Sequence, residues 1–530
     1  MTHEPDRADY LIALAVGLCA LAMYVRTLAP DILYGDAAEF QTLAYTLGMT
    51  HCTGYPTYLL MGRLLGFLPI GSPAWRINLL SAVGAAVTVA GVFLLIRHLT
   101  RSRAGALLGC AALALSYTFW SQAIIAEVYT PATALLSLIM LLLWRWHSAP
   151  LKNNRALLAG GLLAGVGLGV HASVALIAPA AAAFIVWTRW SRRMTGAQWR
   201  RSAVAALLGL GVGVAIFLLA FLSIDLNDPP SSFYQAALYP SRSAWGLELS
   251  DLDTPWERFV VTVTGRQWQD AMFPGGDHSL WGALKEYAGR VAAHEFPPLT
   301  LLCALLGVAV MLRTAPSLGG FVVLSFVTML LVILNYEPPD KFIFFLPTYI
   351  PLAVATGTGA GYLLEAANQG RPTGPKRSGL ATYVLCVALL TLLVAAPFLR
   401  PGWQALRAGA GTFVREHYPY PLYHLEEPRR LATQRLAQVP DGAVLILEWR
   451  GLYATCYLAH VELGRTDLLM MEATPHGSGG VVTATLIKAL TEALHEGRPV
   501  YADRIYKNLE RHFRVRPVPG SDLYRLTLRE

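Results

Sequence analysis

Apolar residues in this chain gather into blocks of about 17–25 residues, the length a helix needs to cross the hydrocarbon core of a bilayer. Eleven such blocks are predicted as transmembrane helices, at roughly 9–28, 75–97, 104–120, 128–146, 156–171, 172–189, 203–223, 297–313, 317–335, 342–364 and 379–398. A soluble domain cannot absorb that many. Of 530 residues only 14% are charged and 55% are hydrophobic, whereas a soluble chain carries roughly a quarter charged. The block at 9–28 is expected to be a span, not a cleaved signal, because Glu4, Asp6 and Asp9 offset Arg7 and the apolar run is too long.

The net charge is +8, and its placement decides what it means. Arg97, Arg101 and Arg103 follow the second block, and Arg145, Lys152 and Arg155 the fourth. Arg189, Arg192, Arg193, Arg200 and Arg201 follow the sixth, Arg313 the eighth, and Arg371, Lys376 and Arg377 the tenth. Every second loop is basic and nearly free of acids. This is the positive-inside pattern, and it predicts a cytoplasmic N-terminus, an extracytoplasmic C-terminal domain and no nucleic-acid surface. Cys19, Cys110, Cys303 and Cys386 fall in the blocks, Cys52 and Cys456 on the outer side, and no Cys/His spacing suggests zinc.

Three segments are expected outside the membrane: 29–74, 224–296 and everything after about 399. The second carries Trp245, Trp256, Trp268 and Trp281, as elements in the headgroup layer do. In the third, 441–448, 467–472, 499–503 and 523–528 read as strands, and 450–463 and 481–495 as helices. The chain thus divides into a transmembrane domain, 1–398, and a small α/β domain, 399–530. The glycine runs 165–169 and 357–361 lie in spans and read as close helix packing.

Within such an apolar chain the polar residues need explaining. Asp36 and Glu39, in G-D-A-A-E-F, fit a capping box at a helix start. The same spacing also sets two carboxylates near the helix's apolar face, where ionised groups are costly and usually functional. His51 and Tyr55 share that outer loop, in H-C-T-G-Y-P, a turn by composition. Glu127 ends the third block, His171 joins the fifth and sixth, and N-Y-E-P-P-D-K brings Asn335, Asp340 and Lys341 between the ninth and tenth. Singly these read as a solvated helix end, an interior histidine and a snorkelling anchor. Together they place Asp, Glu, His, Asn and Lys at one level of one membrane face.

No Walker loop, H-E-x-x-H or G-x-S-x-G is present. The parts suit a hydroxyl attacking a lipid-linked phosphate donor: a carboxylate takes the proton, and Lys341, with His171 and Arg63 as further cations, holds the phosphate. A transporter or flippase that only binds the sugar lipid would carry polar residues near the midplane, not gathered at one face.

Y-G-D-A-A-E-F, T-L-G-M-T-H-C-T-G-Y-P-T-Y and A-E-V-Y resemble a family of multipass proteins that includes the endoplasmic-reticulum plexin-type O-mannosyltransferase. The resemblance is strong over 10–190, and weaker at 335–349 and in the C-terminal domain. It implies a GT-C fold and a polyprenyl-phosphate sugar donor used on the outer or lumenal face. It implies Asp36 as catalytic base with Glu39 beside it, and His171 in the donor site. Where the family has His-Pro, this chain has His51-Cys52. The expected activity is inverting transfer of a hexose, with mannose expected, to a Ser or Thr of an exported protein at a bacterial inner membrane, with neither metal nor cofactor. A glycolipid or polysaccharide acceptor is the alternative.

Overall fold

The computed structural model describes residues 4–150, 152–274, 279–369, 407 and 426–529. Long apolar helices form the larger part, and a five-stranded sheet with its helices forms the rest. Six helical segments are long and apolar enough to cross a membrane: Arg7–Thr27, Pro73–Leu99, Ala172–Ser191, Gly196–Asp225, Pro316–Leu334 and Lys341–Ala367. Two bent pairs raise this to as many as eight, Arg103–Ala114 with Tyr117–Ala123 at 69° and Leu280–Glu295 with Pro298–Thr314 at 114°.

Eleven spans is therefore corrected to six to eight among the described residues. The block expected at 156–171 is a helix of only 14 residues, Asn154–Gly167, about 21 Å long against a core of about 30 Å. The block at 128–146 is the helix Tyr129–Ser148, with polar residues at both ends that leave too short an apolar stretch. The eleventh block, 379–398, the basic loop before it and the start of the 399–530 domain lie outside the described residues.

The glycine runs do serve helix packing. A Cβ on Gly165 would stand 2.5 Å from the Val214 backbone nitrogen, and one on Gly359 would stand 1.9 Å from the Cys303 carbonyl oxygen. Only glycine lets these backbones approach so closely. Gly359→Leu is expected to force the Leu346–Gln369 and Pro298–Thr314 helices apart. A lower thermal midpoint in detergent, or no recoverable monodisperse protein, is the expected readout.

The sheet has the order β2-β1-β3-β5-β4, with β1 Val444–Leu447, β2 Leu469–Glu472, β3 Val500–Ala502, β4 Phe513–Pro517 and β5 Tyr524–Leu528. β1 is parallel to both β2 and β3, and β5 is antiparallel to β3 and β4. The expected strands and helices of this region are present. β4, in F-R-V-R-P, was not anticipated, because alternating arginines and a proline mask its apolar face. Parallel β1 and β2 end on the same side of the sheet, and their carboxyl ends face the membrane helices.

The sheet domain docks on the first loop region through the helix Trp449–Cys456, which lies against Gly35–Thr46. Thr42 Oγ1 donates to the Tyr453 carbonyl at 3.1 Å, and Tyr457 OH accepts from the Ala74 N–H at 3.1 Å. Arg429 binds Asp31 and Glu462 together. At the far end of the 27-residue helix Pro73–Leu99, about 40 Å away, Arg97 is buried against Asp9 at 2.9 Å, and Arg103 joins them at 2.8 Å. Arg97 and Arg103 thus lie at the opposite end of this helix from the docking contacts of the sheet domain.

Candidate active site

Asp36 is not a helix cap. Gly35, at φ +60°, starts the helix abruptly after Tyr34, whose side chain makes no capping bond. Asp36 therefore falls in the first turn, and its Oδ1 accepts from the Trp449 indole Nε1–H at 2.7 Å. Its side chain is 32% exposed. The expected reciprocal bonds to Glu39 are absent because the Glu39 carboxylate is used elsewhere. Glu39, fully buried, accepts from the His51 backbone N–H at 2.8 Å and binds the His51 ring at Nδ1. The other ring nitrogen, Nε2, lies 3.8 Å from Asp36 Oδ2. His51 is thus clamped between two carboxylates. Burial works against its charge, but Glu39, Asp36 and the Glu39 hydrogen bond outweigh burial and hold it at about 10.

The turn that carries His51 closes with Gly54 N–H on the His51 carbonyl at 3.0 Å, as its composition suggested. The next helix, Pro56–Gly66, begins with its Thr57 and Tyr58 N–H groups on the Gly169 carbonyl at 2.9 and 3.1 Å. That capping contact brings distant segments together. It stacks Tyr55 on the His171 ring at 5.8 Å, with Tyr129 at 5.0 Å on another side.

Two compartments open beside Asp36. One, of about 990 Å³, is lined by Tyr55, Tyr129, His171, Asn335, Tyr336 and Phe344, with Leu176, Val332 and Ile333 of the spanning helices. The other, of about 700 Å³, is lined by Gln267, Pro339, Trp449, Glu472 and His476. Asp36, His51, Trp268 and Asp340 border both. Burial, and then the Asp36 charge, push Asp340 up to about 7 against a backbone hydrogen bond and His51.

Of the residues singled out in the sequence, Asp36, His51, Tyr55, His171, Asn335 and Asp340 line this cleft, and Glu39 underlies it. Glu127 is buried behind it, with its backbone tied to Ser81 at 2.9 and 3.0 Å. It is close enough that its charge helps hold the His51 proton. His171 is a poor cation for a phosphate. Its Nδ1 accepts from the Ser173 N–H at 3.1 Å, and burial followed by the His51 charge pushes it down to about 3. Arg63 does not line the cleft. Its guanidinium donates to the Tyr45 carbonyl at 2.9 Å and covers the Phe67 ring at 5.3 Å.

Lys341 requires the same correction. It is 5% exposed, bonded to Glu337 one turn earlier and 3.8 Å from Glu286, and it lines neither compartment. Prolines 338 and 339 set the loop's course, and the local acids capture the ammonium. Lys341→Met should leave the donor KM unchanged and lower stability by about 1.5–3 kcal/mol, the worth of a charge-assisted bond. Paired donor titrations and melts will show which property moves.

Trp449, Glu472, Trp268 and His476 were not found by sequence reasoning. Trp449 and Glu472 sit at the carboxyl ends of β1 and β2. A lone acid closing the apolar run L-L-M-M-E was the available signal. The Trp cluster at 224–296 splits: Trp256 and Trp281 are 69% and 63% exposed, as the headgroup reading requires. Trp245 and Trp268 instead turn inward, and Trp268 stacks on His476 at 4.0 Å. Cys456 is buried, not accessible from outside. Among the described residues no three His, Cys, Asp or Glu side chains are grouped to hold a metal ion.

Residues 36–195 match the family described as Protein O-mannosyl-transferase TMEM260 N-terminal domain. Protein O-mannosyl-transferase TMEM260 of Mus musculus is 32% identical over 148 residues, which is 28% of this chain and 21% of that protein. The Dictyostelium discoideum protein of the same name is 22% identical over 252 residues, 43% of this chain and 30% of that one. The chain thus matches less than a third of the length of either relative. Among solved structures, ArnT from Cupriavidus metallidurans bound to undecaprenyl phosphate aligns over 97% of both chains, with a TM-score of 0.56 at 12% identity. This likeness shows the fold. The protein is a mostly helical, multipass, GT-C-like membrane protein with a small C-terminal α/β domain, and the stretch holding Asp36, Glu39, His51, Glu127 and His171 matches the TMEM260 family.

Proposed function

We propose that the protein is a glycosyltransferase that moves a hexose, with mannose as the expected sugar, from a polyprenyl phosphate to a Ser or Thr hydroxyl of an exported protein. The observation that carries this reading is the position of Asp36. Its partly exposed carboxylate stands where an apolar, aromatic compartment at membrane level meets a polar one under the C-terminal domain. A lipid-linked sugar suits the first and a hydroxyl acceptor the second. Trp449 fixes one carboxylate oxygen, and the His51 imidazolium lies beside the other. As the acceptor oxygen bonds to the anomeric carbon, its proton passes to Asp36. The phosphate leaves with the electrons of the broken C–O bond, and the configuration inverts.

The test is product formation by purified protein in detergent, from synthetic mannosyl polyprenyl phosphate and a Thr-containing peptide, with the anomer read by NMR. Lipid movement across vesicles without a product would instead support a transporter.

The reaction is assigned to the outer face of a bacterial inner membrane. The support is the separation of the buried Asp9, Arg97 and Arg103 cluster from the Asp36 end of the helices. A tag placed after Glu530 is expected to be digested by external protease in intact spheroplasts. Protection until lysis would reverse the orientation.

A further inference from the structure

The two compartments share Asp36, His51, Trp268 and Asp340 and differ in what completes them. The one under the sheet domain takes walls from four places: Asp36 and His51 from the first outer loop, Trp449 and Glu472 from the ends of β1 and β2, Gln267 and Trp268 from the outer segment, and Asp340 from the Pro338–Pro339 turn. Among the described residues, no lysine or arginine lines it. Its cationic candidates are both engaged, since His51 is bound by Glu39 and His476 lies 3.1 Å from Asp270. Of its three carboxyl groups, Asp36, Asp340 and Glu472, burial raises the last two to about 7 and about 8, so the field of this compartment turns acidic as pH rises through that range.

Glu472 is the group the chemistry at Asp36 leaves unexplained. It is 5% exposed, yet its Oε2 has no hydrogen-bond partner. A buried carboxyl oxygen left unpaired is costly, and a site that binds a ligand is one reason for a fold to keep it. Burial, then the Glu39 charge, raise Glu472 to about 8 against His51. Near neutral pH it therefore keeps a proton to donate, and once ionised it accepts.

We propose that this compartment is the acceptor subsite, and that it selects polypeptide hydroxyls flanked by neutral or basic residues over acidic ones. Glu472 bonds the acceptor backbone and thereby fixes its register. The inference rests on the glycosyltransferase reading above.

Binding is measured separately from turnover. Fluorescent Thr peptides with Lys or Asp flanks are titrated into the full-length protein, and the same peptides are assayed with synthetic mannosyl polyprenyl phosphate. Above about pH 8, where Asp340 and Glu472 are ionised, the Lys-flanked peptide is expected to bind about tenfold more tightly at low salt, a difference of about 1.4 kcal/mol, and the gap should narrow as salt screens it or as pH falls below about 7. Glu472→Gln should raise the acceptor KM and leave the donor KM unchanged. Should Glu472→Gln fold poorly, Gln267→Lys supplies the second variant, since a cation on the wall should weaken the Lys-flanked peptide and favour the Asp-flanked one. Equal binding of the two peptides overturns the proposal, as does a shift in donor KM alone or transfer to a neutral glycan but to neither peptide. Discrimination in binding without any sugar transfer upholds the subsite and defeats the glycosyltransferase reading.

Discussion

Asp36→Asn is expected to lower sugar transfer by about 10²–10⁴-fold, the usual cost of removing a positioned general base, while the protein folds as before. Asn is nearly isosteric, and its side-chain oxygen can still accept the Trp449 indole N–H. Because Asp36 is not a cap, the stability change should be confined to the loss of an anion in the first helical turn, about 0.3–1 kcal/mol, and of its attraction to His51. The measurement pairs turnover at saturating donor and acceptor with a thermal midpoint in the same detergent. Trp449→Phe is the companion variant. It removes the N–H that fixes Oδ1 and keeps an aromatic ring, so a partial loss of kcat is expected with the carboxylate still in place. Near-wild-type turnover by Asp36→Asn would falsify the base assignment, and the reading of the cleft as catalytic would fall with it.

The membrane architecture was legible in the sequence because spanning a bilayer imposes a length and a composition that any window reveals. The excess in the span count comes from the same rule. Residues 156–171 are apolar enough to span, but the run ends in a glycine turn at Gly169, whose carbonyl is needed to cap Pro56–Gly66. That demand comes from another segment and leaves no local trace. Asp36 and Glu39 show the limit more sharply. Their spacing is that of a capping box, and only the fold reveals that their partners are Trp449 and His51. The level at which Lys341 lies was legible, but its direction was not, because Glu286 and Glu337 decide it. Strands β1, β2, β3 and β5 were readable from apolar and β-branched runs between turns. The contribution of the sheet domain to the site was not, since it depends on which end of a parallel pair meets the membrane helices.

Glu39→Gln tests the buried pair beneath Asp36, and its pH dependence is diagnostic. In the folded protein the Glu39 carboxylate holds His51 protonated up to about 10, against an ordinary value of 6.5. A histidine raised in this way stabilises the fold fully below its unfolded value, and the contribution is lost as pH rises through the folded value. Breaking a buried ion pair by neutralising one member typically costs about 3–5 kcal/mol, because the other charge is left without its partner. The gap in thermal midpoint between wild type and Glu39→Gln should therefore be widest just below pH 6.5, with Glu39 still ionised, and close steadily as pH rises toward about 10. Asp340 titrates in both proteins, so its own effect largely cancels in the difference. Turnover should fall as well, since an imidazole without Glu39 no longer orients toward Asp36 Oδ2. A gap of the same size at every pH would show that His51 carries no charge in the folded protein, and the electrostatic clamp on Asp36 would have to be abandoned.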